Sequence, residues 1–185
     1  MMCHRKTGRE QANTYATVED VCRLFAKGMS ELYQLSFLLT ADHQKAEQCF
    51  VAGLEDSMRS KGVFKEWARS WAKRTVVQNA IGQLKPHPST ASSSTFTVPP
   101  YVPQLPTGEH RHFGLKAVLA LPDFERFVFV MSVLEHHSAH DSALLLGCSP
   151  REIWEARARA AEQMANSKGT VPIEVNSEKV QELVR

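Results

Sequence analysis

At 185 residues and 20.8 kDa the chain has room for one domain or two small ones. Its formal charge of +2 and pI near 8.4 supply little bulk attraction for a polyanion, so any nucleic-acid role has to rest on how the charge is distributed. It has no apolar run long enough to span a bilayer and no apolar N-terminal signal segment, which points to a cytoplasmic protein without direct membrane insertion.

Residues 1–15 are polar, with Arg5, Lys6 and Arg9 against Glu10, and are expected to be loose. Residues 16–85 carry ten bases against eight acids, residues 86–108 carry no formal charge, and residues 109–165 carry six bases against eight acids. The slightly acidic balance of that last segment argues against strong independent DNA binding by it. Cys3, Cys22, Cys49 and Cys148 have no paired spacing. Cys22 and Cys49 are expected on inner helix faces, as buried thiols in a reducing compartment.

The first body is predicted over 16–85 as three helices. Thr17, followed by Glu19 and Asp20, starts a helix whose face runs through Val21, Cys22, Phe25, Met29, Leu32, Tyr33 and Ser36 to Leu39. Thr40-Ala41-Asp42 breaks it. A second helix runs from about His43 to Arg59 with Ala46, Phe50, Gly53, Leu54 and Ser57 inward; Gly53 marks either a close helix crossing or a tolerated cost of about 1 kcal/mol. After Lys61-Gly62 a third covers about Val63 to Leu84. Phe64, Trp67, Ala68, Trp71, Thr75 and Val76 line its inner side, and Lys65, Arg69, Lys73 and Arg74 surround the rest. The shared aromatics can close a small core without a sheet, so the fold class expected is all-α.

From Lys85 to Thr107 the chain changes character. Six prolines and a Ser/Thr run exclude helix over most of it and favour an extended or flexible tether. Phe96, Val98, Tyr101, Val102 and Leu105 are more apolar residues than a solvent linker needs; they either fasten into a partner's groove or pack on the chain's own domains.

The second body is predicted over 109–165. A helix from roughly His110 to Ala120 leads into a helix opened by Pro122, with Phe124, Phe127, Val128, Met131 and Leu134 at helical spacing, ending at Glu135-His136-His137. Ser138, with Asp141 three residues on, caps the next helix, whose apolar side is Ala139, Ala143 and Leu146. Gly147-Cys148 makes a turn. Ser149-Pro150-Arg151-Glu152 then combines a hydroxyl cap, a proline at the first helical position and a glutamate at the third. Ile153, Ala156, Ala160 and Met164 face inward and Arg151, Trp154, Glu155 and Ala158 outward. Two helices joined by a tight turn in this way form a helix-turn-helix, which can lay one exposed face in a DNA major groove, although hairpins that bind nothing share its grammar. Residues 166–185 form a C-terminal extension without an assigned role.

Catalytic patterns are missing. There is no Gly-rich phosphate loop, HExxH, GxSxG or paired-carboxylate arrangement, so an enzyme is not expected. His136, His137, His140 and Cys148 lack the paired short spacings of a zinc site, and no metal or other cofactor is expected.

The order of these pieces resembles a bacterial RNA polymerase sigma factor of the compact extracytoplasmic-function class. The resemblance covers about 120 residues. FAKGMSELYQLSFLLTADHQKAEQCFVAGL and FKEWARSWAKRTVVQN are similar to the family's first conserved domain, with the "LT-D" break, the "AE" opening the next helix and a tryptophan-containing helix with an asparagine near its end. LALPDFERFVFVMSVLE and ALLLGCSPREIWEARARAAEQM are similar to the second, with its "A-LLG-S" helix-turn-helix. The resemblance implies a promoter-recognition subunit partnered by promoter DNA, by the β and β′ subunits of core RNA polymerase and, as a further candidate, by an anti-sigma factor. It places Ala46, Glu47 and Phe50 on the polymerase-binding side. It places Lys65, Arg69, Trp71, Lys73, Arg74 and Asn79 where melted promoter DNA is held, and Ser149, Arg151, Glu152, Trp154, Glu155, Arg157 and Arg159 on or beside the recognition helix. The pattern departs at Val51-Ala52, where the family carries a polar pair, at His136-His137, and at Trp154, Glu155 and Ala156, where it carries basic or hydroxyl residues. A sigma-like interaction module that binds polymerase or an anti-sigma factor without ordinary promoter reading is the alternative.

From the residues alone, Trp67 and Trp71 read as core or as stacking surfaces for unpaired bases, and one can serve each purpose. Arg157 and Arg159 read as base contacts or as partners of Glu155 and Glu162 along the helix.

Overall fold

The computed structural model describes residues 14–88 and 114–166, and within them every regular element is helical. The tether from 89 onward, most of the helix expected from His110, Cys3 and the C-terminal extension lie outside the described residues. None of the described helices is long and apolar enough to cross a membrane.

The first unit contains α1 (Val18–Lys27), α2 (Met29–Thr40), α3 (His43–Arg59), a 3-10 turn (Lys65–Trp67) and α4 (Ala68–Leu84). Thr17 and Asp20 form the reciprocal cap of α1, and Asp42 caps α3 by accepting from the Lys45 amide. The single helix expected from Thr17 to Leu39 is divided at Gly28, although helical bonding passes through it: Gly28 N donates to Leu24 O and Leu32 N to Gly28 O. Two positions on its predicted inner face are corrected, because they lie beside the stripe that runs through Phe25, Leu32 and Leu39. Cys22 and Met29 are exposed, while Leu35, Ser36 and Leu39 are buried.

Helices α3 and α4 pack at Gly53. A Cβ built there would lie 2.8 Å from Val76 Cγ2, so the close crossing anticipated at this glycine is present. Beside it the buried Ser57 and Thr75 hydroxyls are 2.9 Å apart, and Thr75 Oγ1 also lies 3.2 Å from Gly53 O. Ala68, Ala72, Val76 and Ala80 supply small buried surfaces along α4 that admit close neighbours.

The second unit contains α5 (Leu115–Leu119), α6 (Asp123–Phe129) continuing into a π-helical turn (Val130–Leu134), α7 (Ala139–Leu146) and α8 (Pro150–Asn166). Glu135 N donates to Val130 O and His137 N to Met131 O, and His136 takes a left-handed φ of 58° that ends the element where the histidine pair begins. Burial is not confined to one stripe: Phe124 through Phe129 of α6 and Val130 and Met131 of the π-helical turn are all buried, Glu125 and Arg126 included, whereas Leu134 is exposed. Arg159 Nε donates to the buried Glu125 Oε1 at 2.9 Å, pinning α8 to α6.

The two units meet. One apolar core runs from Phe25, Leu32, Leu35 and Leu39 into Phe124, Phe127 and Met131, along a seam between α2 and α6. Arg126 sits in that seam. Its Nε donates to Leu39 O at 3.1 Å, Nη1 to Leu121 O at 2.8 Å and Nη2 to Asp123 Oδ1 at 2.5 Å. The charge thus rests on the carbonyl end of α2, where cations are favoured. Lys73 Nζ of α4 reaches Glu135 Oε2 at 2.7 Å across the same junction.

Candidate nucleic-acid interface

The helix-turn-helix is built as its local chemistry requires. At the start of α7 the Asp141 amide donates to Ser138 Oγ at 3.0 Å, and the hydroxyl donates to Asp141 Oδ2 at 2.6 Å. The Ser138 hydroxyl, more than the Ser138 amide, holds the Asp141 carboxyl below its ordinary pKa. Gly147 closes α7 with φ of 67°, a conformation that favours glycine. At the start of α8 the Ser149 amide donates to Glu152 Oε2 at 2.7 Å and the Glu152 amide to Ser149 Oγ at 3.3 Å; the Ser149 backbone bond is the main cause of a lowered Glu152 pKa. Ser149 and Glu152 are therefore engaged in capping.

Ile153, Ala156, Ala160 and Met164 are all buried, so α8 is seated with the opposite face outward. On that face Arg151 Nε donates to Glu155 Oε1 at 2.8 Å, and the Arg157 guanidinium lies 5.7 Å from the centre of the exposed Trp154 ring. Arg159 is drawn inward to Glu125 instead of toward Glu162. The outward surface is consequently one paired arginine, one stacked arginine and a tryptophan, with Leu144 of α7 also exposed.

In the first unit the predicted basic face is extensively ion-paired. Lys65 Nζ lies 3.2 Å from Asp20 Oδ2, Arg69 pairs with Glu31, and Lys73 Nζ bridges Glu31 Oε1 at 2.9 Å and Glu135 Oε2 at 2.7 Å. The Lys73 hydrogen bond, more than its neighbours, holds the Glu31 carboxyl below its ordinary pKa. For Lys73, burial pulls the ammonium pKa down, and the bonds to Glu135 and Glu31 carry it above the ordinary value. Arg74 is exposed, and no ion pair engages it among the described residues. Asn79 is turned inward, donating from Nδ2 to Asp56 Oδ2 at 2.8 Å and Thr75 O at 2.9 Å.

The two tryptophans of this helix separate. Trp71 is half-buried, and its Nε1 donates to Ser60 Oγ at 3.0 Å. Trp67, expected with it on the inner side, is 60% exposed because the 3-10 turn places it out of phase with α4. Phe64 stands edge-on to Trp67 at 5.2 Å between centroids, and Tyr15 stacks on Phe64 at 4.8 Å. Two backbone bonds, Ala16 N to Val63 O and Lys65 N to Thr14 O, bring Tyr15 there. Sequence reasoning missed Tyr15, since no local pattern signals a bridge between segments nearly fifty residues apart. The result is an exposed aromatic ledge with Arg74 two turns further along the chain, a surface on which an unpaired base can stack.

Of the residues placed on the polymerase side, Ala46 is fully buried and Phe50 is half-buried edge-on to Phe25, with ring centres 5.5 Å apart. Glu47 alone among the three is exposed. Ala46 therefore sets the spacing of α3 in the core and cannot itself touch a partner. Among the described residues no group of three ligating side chains is placed to hold a metal ion. No protein-family model matches the chain, and no curated protein is significantly similar to it.

Proposed function

We propose that this protein is a cytoplasmic promoter-recognition subunit that binds core RNA polymerase and directs transcription initiation. What carries the reading is the capped hairpin of α7 and α8, whose turn, caps and buried stripe leave Arg151, Trp154 and Arg157 on one outward face. The ledge of Tyr15, Phe64 and Trp67 in the other unit supports it, as a stacking surface for a base of the melted strand. Protein contacts to polymerase, in which Glu47 and the exposed side of α3 take part, supply most of the affinity, because Lys65, Arg69 and Lys73 of the basic face are already paired with carboxylates. The work is recognition, with no catalytic step in the isolated chain.

A second reading is an interaction module that holds polymerase or an anti-sigma factor without ordinary promoter reading. The engagement of Glu155 with Arg151, and of Lys65, Arg69 and Lys73 with acids, favours it. Selection from a random promoter pool by the protein reconstituted with core polymerase separates the two. Enriched sequences that also yield transcripts support promoter recognition; polymerase binding with neither supports the second reading and overturns the first. In the same assay, reversing the charge of Arg69 and Arg74 together weakens promoter opening more than polymerase binding.

A further inference from the structure

The seam between the units raises a mechanical question for any two-handed grip on a large assembly. With α2 packed on α6, the units cannot take up widely spaced contacts, and Lys73 already holds two carboxylates. The second of these comes from the far side of the seam. Glu135 stands at the end of the π-helical turn, its side chain mostly buried, and the extra residue in that turn helps set its position beside α4. Arg126 makes the matching contact at the other end of the seam, on Leu39 O.

We propose that this arrangement is a latched state in which Glu135 takes the place of a nucleic-acid phosphate on Lys73, so that binding at the first unit and separation of the units are one coupled event. The inference rests on the nucleic-acid role given above for the basic face. A phosphate approaching Lys73 competes with Glu135, and loss of that pair leaves the seam held by Arg126 and the apolar contacts. Conversely, a protein that pulls the units apart takes one of the two carboxylates off Lys73 and so favours its contact with phosphate. The coupling is reciprocal, because both events act on a single equilibrium.

The test uses the full chain, Glu135→Gln, and Lys73→Gln, which cuts the same pair from the opposite unit and also the Glu31 contact on α2, so that α6 is the diagnostic helix for that variant. Amide hydrogen exchange is followed in α2 and α6, and binding of a short oligothymidylate is followed against salt concentration. Both variants are expected to raise exchange along the seam by roughly tenfold or more, as loss of a charge-assisted hydrogen bond implies, while the amides of α3 and α8 keep their protection. Glu135→Gln should also bind the oligonucleotide more tightly, because Lys73 then carries one carboxylate, Glu31, instead of two, and the salt slope should steepen by up to about 0.7. Seam exchange equal to that of the parent in both variants overturns the latch, even if affinity changes, since Glu135 would then act only as a local counter-charge. Seam opening in both variants, with no oligonucleotide binding by the parent or Glu135→Gln, upholds the mechanical latch and removes the nucleic-acid role assigned to this face.

Discussion

Gly53→Ala should destabilise this protein, although replacing a helical glycine ordinarily does the reverse. The added Cβ would lie 2.8 Å from Val76 Cγ2 and 3.3 Å from both Val76 N and Cα. Val76 is fully buried and β-branched, with little rotamer freedom in a helix, so the clash cannot be relieved by swinging a flexible side chain away. Helices α3 and α4 must move apart. Overpacking of this kind costs about 1–3 kcal/mol, and alanine's better helix propensity offsets about 1 kcal/mol. With both a stiff side chain and main-chain atoms resisting, the upper part of the range applies and a net loss of about 1–2 kcal/mol remains. For a chain of this size that corresponds to a fall in Tm of roughly 2–8 °C. Gly82, in the last turn of α4, is the internal control: nothing lies within 4 Å of its added Cβ, so Gly82→Ala should gain about 0.5–1 kcal/mol. Urea titration should move the two midpoints in opposite directions with the m-value unchanged. A Gly53→Ala midpoint at or above that of the parent would refute the account of the crossing.

Arg159→Met strands the buried Glu125 carboxylate and should cost roughly 2–3 kcal/mol, below the range for a wholly buried pair because Arg159 is partly exposed; in denaturant melts, Glu125→Gln combined with Arg159→Met should recover most of the loss. Trp67→Ala should leave stability within about 1 kcal/mol of the parent yet weaken oligonucleotide binding about tenfold or more, whereas Trp71→Ala should destabilise, so paired melts and binding titrations that ranked them the other way would reject the stacking ledge. Asp20 is held near a pKa of about 2, first by the Thr17 amide and then by Lys65 and the Thr17 hydroxyl. Because its folded-state pKa lies below the unfolded value, its stabilisation is present above about pH 4 and disappears as pH falls through about 2. Melts of Asp20→Asn and the parent should therefore differ at neutral pH and converge over that interval.

The clearest sequence signals were those confined to one turn of helix. Thr17, Ser138 and Ser149 bind three residues ahead, and a spacing of three is visible in any sequence. The inner stripe of α8 was equally legible, because an uninterrupted α-helix preserves the phase of its apolar residues. Legibility failed where the phase changes or where an element is enclosed on every side. The 3-10 turn at Lys65–Trp67 carried Trp67 out of the predicted stripe, and in α6 every residue from Phe124 to Phe129 is buried, which no single face accounts for. Charge was legible only in number. Lys73 with Glu135, and Arg69 with Glu31, are partners across stretches of chain that no local pattern connects, so the basic face could be counted but its neutralisation could not.

A π-helical turn is an α-helix that accommodates an extra residue. Between Val130 and Leu134 the chain therefore has slack in its residue count. Deleting one residue there lets the winding return to an ordinary α-helix, with the turns on either side keeping close to their present facing. Phe124 through Phe129 would keep their seats and Glu135 would be displaced only slightly along the axis. A one-residue deletion at this point is thus a change the fold can absorb, whereas the same deletion inside α8 would turn everything beyond it by about 100°.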